Sequence, residues 1–309
     1  MATGNISEML REGGYDPHHD LLSKLPNNVK KRISALKSLQ IKSIELEAEF
    51  YSRVHALERE FEVKFAPHYE ERRKIVNGER DPTEEEGNYP LLHGADEHEI
   101  QSLYSNSDPD TDAKGIKDFW LTEHDEPILS YLTDVTSNST ENPSKFVLNF
   151  HFASNPYFKN SVLTKEYILN IAIDKNDPFN FDGPQVERIN GAKIEWEDGK
   201  DVTKKAVKKK QKRGANAGKY LTKTVKAESF FNFFESPKNE DEKNEDDEED
   251  HDNMEDILIA DYEVGQIIRD TVISRAVLLY TGELATEDPD MFDFDGEDGE
   301  GSEDEEDEE

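Results

Sequence analysis

A chain of 309 residues with 71 Asp and Glu against 37 Lys and Arg carries a formal net charge of -34, which repels nucleic acid and anionic membranes and attracts cations and basic proteins. Its 34% hydrophobic and 35% charged content is polar for a fully packed protein, so part of it is expected to be disordered. With no cysteine, disulfides and thiolate metal sites are excluded, and the start at Met1 to Glu8 has neither a basic cluster nor an apolar stretch, which points to cytosol or nucleus and to no membrane span.

Residues 1–24 are expected to be a flexible N-terminus, and residues 25–76 a long helical region. From Asn28 to Ala66 there is no Gly or Pro, and Leu, Glu, Lys and Ala abound, which predicts one continuous helix. At 100° per residue from Ile33, the residues Leu36, Leu39, Ile44, Leu46, Phe50, Tyr51, Val54, Leu57, Phe61 and Phe65 share an arc of about 160°, while Ile41 and Val63 point elsewhere. Pro67 is expected to bend or end the helix. Lys30, Lys31 and Arg32 lie where the helix dipole disfavours cations, so the start is open to a shift towards Ser23 or Pro26.

A rod of some 38 residues is about 57 Å long, well beyond the radius of gyration of about 16 Å of a compact domain of about 200 residues. Its apolar stripe needs a cover. A second copy packed antiparallel about a two-fold axis supplies one, with Leu46, Phe50, Val54, Leu57 and Phe61 at the interface. The alternative is a helix folded back on its own domain. The spacing Leu36, Leu39, Ile41, Ile44, Leu46 also resembles a leucine-rich nuclear export signal, but these residues lie mostly on the face the dimer needs, and export requires exposure.

Asn77 to Asp112 reads as loop. Asp108, Asp110 and Asp112 begin like a calcium loop, yet Ala113 stands where the sharp turn needs Gly and Phe119 where the bidentate Glu belongs, so no metal is expected there. His18, His19, His93 and His98 are read as solvent-facing. Phe146 to Phe152 alternates Phe146, Leu148, Phe150 and Phe152 against Val147, Asn149 and His151, a half-buried strand. Val162 to Ile173 and Ala192 to Trp196 are further strand candidates, with turns at Asn155-Pro156, Asp177-Pro178 and Asp182-Gly183-Pro184, which predicts an antiparallel sheet.

Residues 200–220 form a basic hairpin or loop, with Lys204, Lys205, Lys208, Lys209, Lys210, Lys212 and Arg213 followed by Gly214 and Gly218. Nuclear import is preferred to a nucleic-acid patch in so acidic a chain, with Lys208, Lys209, Lys210, Lys212 and Arg213 as the signal. Residues 239–256 are an acidic insertion, net -11, and residues 286–309 an acidic tail, net -15. Neither holds enough apolar residues to order itself. Between them, Asp261 to Tyr280 reads as a helix apolar nearly all round, ending at the C-cap Gly282 and buried against the sheet. No P-loop, dinucleotide-binding glycine pattern, zinc-protease motif or nucleophile elbow is present, so neither an enzyme nor a cofactor is expected.

Four ordered stretches carry a family likeness: Gly115 to Thr122, Ser154-Asn155-Pro156-Tyr157-Phe158, Ile194-Glu195-Trp196, and Ser229-Phe230-Phe231-Asn232-Phe233-Phe234. They resemble the nucleosome assembly protein family, and the likeness runs from about Leu25 to Leu284. Lys117 departs from it, since relatives often carry Pro there. The resemblance implies an α+β fold: a long antiparallel dimerisation helix and an α/β earmuff domain over residues 77–285, whose acidic underside binds histones. It implies that the hairpin Lys204 to Arg213 serves nuclear import. The sister branch of phosphatase inhibitors generally lacks this hairpin followed by the Phe-rich motif.

The Phe-rich motif itself reads as packing. Histone-binding candidates are Glu195, Glu197, Asp198 and Glu228 beside the sheet and, in the tail, Asp288, Asp290, Asp293, Asp295, Glu303, Asp304, Glu305 and Glu306. The expected partners are core histones H2A-H2B and H3-H4, a second copy as homodimer and a nuclear import receptor, without direct nucleic-acid recognition or membrane binding. Shuttling between nucleus and cytoplasm follows. The rival from another class is an acidic signalling regulator, such as a phosphatase inhibitor.

Overall fold

The computed structural model describes residues 17–91, 98, 124–210, 220–237 and 251–284. The chain divides into two compact units, residues 1–61 with 169–185, and residues 62–168 with 186–309.

In the first unit, a short helix α1 (Pro17–Lys24) precedes the long helix α2 (Asn27–Val76), whose later part belongs to the second unit. The start lies at the turn over Pro26, whose carbonyl accepts from the N–H groups of Val29 and Lys30. The misplaced cation finds a use: the Lys30 ammonium donates to the Ser23 carbonyl at 2.8 Å, the negative end of α1. The segment 169–185 packs on one side of the helix, where Lys37, Ile44 and Tyr51 recur at heptad spacing. The Lys37 ammonium lies 5.4 Å from the Phe179 ring centroid, and Tyr51 meets the Phe181 ring edge-on at 6.3 Å. Ile44 between them is 4% exposed.

Pro67 does not end the helix, contrary to expectation, because α2 runs on to Val76. A proline inside a helix costs about 3 kcal/mol through its missing donor and ring clash. Contacts on both sides of Pro67 offset that cost. Glu62 accepts from the Ser139 N–H at 2.9 Å, Arg72 donates to the Ile273 carbonyl at 2.6 Å, and Arg73 bridges Glu70 and Glu79.

In the second unit, β1 (Leu132–Thr140), β2 (Lys145–Phe152), β3 (Val162–Asn170) and β4 (Gln185–Gly191) form a sheet in the order β1-β2-β3-β4, with β1/β2 and β2/β3 antiparallel. The alternation expected in β2 is present, Phe146, Leu148, Phe150 and Phe152 all being buried. β3 stops at Asn170, short of Ile173, because the Asn170 side chain accepts from the Ala172 N–H at 2.9 Å and turns the chain. The strand placed at Ala192 to Trp196 is corrected: β4 lies before it, and Trp196 makes an isolated bridge to Phe158. β1 is a strand without an apolar pattern. Its edge is covered from α2, through Glu62 on Ser137 and Ser139 and the Asn77 amide on the Thr133 carbonyl.

The inner face of the sheet meets the Phe230–Phe234 3-10 turn and the C-terminal helices. Phe231 and Phe234 are buried, their rings against Phe158, Trp196 and Phe150, as the packing reading expects. The single helix expected over Asp261 to Tyr280 is two, α5 (His251–Ile267) and α6 (Ile273–Thr281), joined by a π turn at Ile268–Val272. Gly282, at φ 79°, is the C-cap. The helix is not buried all round: Ile268, Ile273 and Leu279 face the core, whereas Val277 and Tyr280 are exposed. An apolar composition marks burial only where a neighbour lies opposite each face. Among the described residues, no helix is long and apolar enough to cross a membrane.

Candidate interaction surfaces

The long helix presents a second apolar face, turned away from the one that meets Phe179 and Phe181. Leu46, Phe50, Leu57 and Phe61 are exposed there, Phe50 by 58%, and Val54 is half-buried. The periodicity thus groups the five interface candidates together, but it merges two faces that the structure separates. The spacing read as an export signal is split the same way. Leu36, Leu39 and Leu46 are exposed, Ile41 is half-buried and Ile44 is buried.

The outer face of the sheet was not singled out in the sequence as a surface. It is half-buried and polar, with side chains bonded across strands. The Thr136 hydroxyl and His151 Nε2 lie 3.0 Å apart, and the Asn149 amide donates to Asn138 Oδ1 at 2.7 Å. Glu166 accepts from the Lys145 ammonium and, at 2.7 Å, from the Asn190 amide. These bonds, that from Lys145 foremost, hold the Glu166 carboxyl below the usual carboxylate range. Burial pushes the Asp134 carboxyl the other way, against the attraction of His151. The signal was the odd positions of β2, where Asn149 and His151 alternate with phenylalanines.

Of the acidic candidates, Glu195, Glu197 and Asp198 are brought together on one exposed turn after β4. The Trp196 ring fixes that turn by lying 5.6 Å from Phe158 and 5.3 Å from Phe231, centroid to centroid. The Glu195 N–H donates to Asn160 Oδ1 and the Glu197 N–H to the Tyr157 carbonyl, each at 2.8 Å, so the carboxylates stand on a tethered backbone. Glu228 is also exposed, one residue before the Phe-rich turn.

The basic segment is a two-stranded hairpin of its own, β5 (Lys204–Lys210) against β6 (Tyr220–Lys226), with Lys204 opposite Lys226 and Lys210 opposite Tyr220. Lys208, Lys209 and Lys210 therefore lie on β5. Lys212 and Arg213 lie outside the described residues, as do the tail candidates Asp288, Asp290, Asp293, Asp295, Glu303, Asp304, Glu305 and Glu306, most of the acidic insertion, and the stretch Gly115 to Thr122.

Comparison with known proteins agrees with the likeness carried by the Ser154 to Phe158, Ile194 to Trp196 and Ser229 to Phe234 stretches. The chain is 41% identical over 301 residues to Nucleosome assembly protein 1-like 1 of Xenopus tropicalis, covering 89% of this chain and 74% of that protein. It is 41% identical over 294 residues to the Homo sapiens protein of the same name, covering 87% and 73%. Among solved structures it is similar to Nucleosome Assembly Protein 1 from Plasmodium knowlesi, at 27% identity and a TM-score of 0.48, over 84% of this chain and 99% of that one. The profile of the family described as Nucleosome assembly protein (NAP) matches residues 31–283. With that match spanning most of its length, the chain belongs to the nucleosome assembly protein family.

Proposed function

We propose that this chain is a non-enzymatic histone chaperone. It binds core histones, H2A-H2B and H3-H4, through exposed carboxylates and acidic tails, shields them from non-specific DNA contacts and promotes nucleosome assembly. The observation that carries this reading is the family match over residues 31–283 on a chain of net charge -34. Histones hold DNA by neutralising phosphates, an affinity that falls steeply as salt rises. An acidic protein competes as a second polyanion and removes misplaced histones, while the wrapped nucleosome, with its many ordered contacts, outcompetes it. No nucleotide hydrolysis is required.

In this reading residues 25–76 dimerise, 77–285 bind histone together with the tail 286–309, and the hairpin engages a nuclear import receptor. The protein then shuttles between nucleus and cytoplasm. Glu195, Glu197, Asp198 and Glu228 are proposed histone contacts on the body because they are exposed on anchored backbone.

Titration of H2A-H2B and H3-H4 against the intact protein and a truncation after Ala285 tests the proposal. Removing 15 acidic residues per chain should weaken binding by roughly 1 to 3 kcal/mol at physiological salt and flatten its salt dependence, with melting unchanged. Absence of histone binding by the intact protein overturns the function. Separately, replacing Lys208, Lys209, Lys210, Lys212 and Arg213 by Ala should reduce nuclear uptake when re-export is blocked, and unaltered uptake removes the import role.

A further inference from the structure

The residues on either side of the acidic insertion are tied to one buried cation. Lys165 points inward from β3 and is fully buried. Its ammonium donates to the carbonyls of Phe233 at 2.5 Å and Glu235 at 3.1 Å, which precede the insertion, and to Asp261 Oδ2 at 2.6 Å, which follows it. The Tyr167 hydroxyl donates to the other Asp261 oxygen at 2.8 Å. Thus both ends of the stretch holding 12 acidic residues at positions 239–256 meet at a single ammonium on the sheet.

Such an arrangement is an expensive way to fill a core. Burying an ammonium costs several kcal/mol that its ion pair only offsets, and a packed apolar residue would serve stability as well or better. What the cation does that an apolar residue cannot is hold two carbonyls and a carboxylate from opposite ends of a loop whose own charges repel. A chain segment fixed at both ends on a rigid sheet keeps its charges near one place, which raises their effective concentration for a partner docked alongside.

We propose that Lys165 is a positioning residue for the binding of basic proteins: it pins both ends of the acidic insertion so that the insertion's charge is presented at a fixed place on the body. This rests on the reading of the chain as a histone binder.

The test is a double-mutant comparison with H2A-H2B as the probe. The paired change K165M/D261L removes the pin without leaving a lone buried charge. It is made in the parent and in a variant whose nine acidic residues between positions 240 and 250 are converted to amides. In the parent, the paired change should weaken H2A-H2B binding about threefold to tenfold; in the neutralised variant it should change affinity by less than about twofold. An equal loss in both backgrounds, or no loss in either, overturns the proposal, since a purely structural role would not depend on the insertion's charge. Unchanged affinity on neutralising the insertion also overturns it while leaving binding by the body intact. Absence of binding by the parent overturns the proposed function instead. Should the paired change fail to fold by circular dichroism, D261N takes its place, because it weakens the return anchor and keeps the bonds from Lys165 to the Phe233 and Glu235 carbonyls.

Discussion

Asp125 and Ser229, 104 positions apart, meet through a hydrogen bond of 2.7 Å from the Ser229 hydroxyl to Asp125 Oδ1. Asp125 Oδ2 accepts from the Phe230 N–H at 2.8 Å, and the Ser229 hydroxyl oxygen accepts from the Phe231 N–H at 3.1 Å. A fully buried carboxylate thereby caps the start of the Phe-rich turn and satisfies donors that the turn's own geometry leaves open. Asp125→Ala should cost about 3 kcal/mol, the range for deleting a charged acceptor from two part-buried donors. Asp125→Asn keeps one acceptor and should cost less. Urea unfolding monitored by Trp fluorescence measures both, because Trp196 packs on Phe231 of the same turn; equal stabilities of parent and Asp125→Ala would contradict the capping role.

Gly265 lets α5 approach the sheet. A Cβ at that position would stand 2.4 Å from Cζ of Tyr167, whose side chain is fully buried and whose hydroxyl is held by Asp261. Gly265→Ala should therefore force the helix outward and cost about 1 to 3 kcal/mol, although alanine is the better helix former. Thermal melting would show it as a lowered midpoint. A raised midpoint would mean that propensity outweighs packing at this contact.

The difference between what the sequence told and what it withheld follows from where the order is stored. β2 was legible because one face is aromatic and the other polar, so the period is in the residues themselves. β1 was not, because Asp134, Ser137, Asn138 and Ser139 carry no such period; pairing with β2 and the Glu62 carboxylate hold it in place. The same holds for the continuation of α2 through Pro67, which depends on partners distant in sequence. Among the site residues, Glu195, Glu197 and Asp198 could be chosen by charge beside a recognisable tryptophan. Lys165 could not, since a lysine in a strand reads as solvent-facing until Asp261 is seen opposite it.

Asp134 gives the outer sheet face a pH signature. Burial raises its carboxyl above the ordinary value of 3.8 in the folded protein, so between that value and the raised one the folded state holds more proton than the unfolded state. Stability from this group is then greatest below 3.8 and declines as pH rises through the raised value. Asp134→Asn should remove that decline, making the variant more stable than the parent at pH about 7 and bringing the two together in acid. Chemical denaturation at a series of pH values is the measurement, and a stability difference that does not vary with pH would count against a buried, uncomfortable carboxylate.

The exposed face of α2 leads to the last prediction. Leu46, Phe50, Leu57 and Phe61 lie together on one face of the helix, whereas the face with Ile44 and Tyr51 packs against the chain's own segment 169–185. A stripe of large apolar side chains along a helix is a poor surface to leave in water, and an isologous contact with a second copy would bury Phe50 and Leu57 from both sides. Substituting both by Glu would place unpaired charges in such an interface and should weaken association by about 3 kcal/mol or more. Val63 supplies the control: it is 73% exposed and lies off the stripe, so Val63→Glu should leave association as it was. Sedimentation equilibrium across a concentration series distinguishes the cases. A parent that sediments as a monomer, or a Phe50→Glu, Leu57→Glu variant that dimerises as tightly as the parent, would assign the stripe to something other than a second copy. Loss of association with Val63→Glu as well would show that the contact extends around the helix beyond the face its sequence marks.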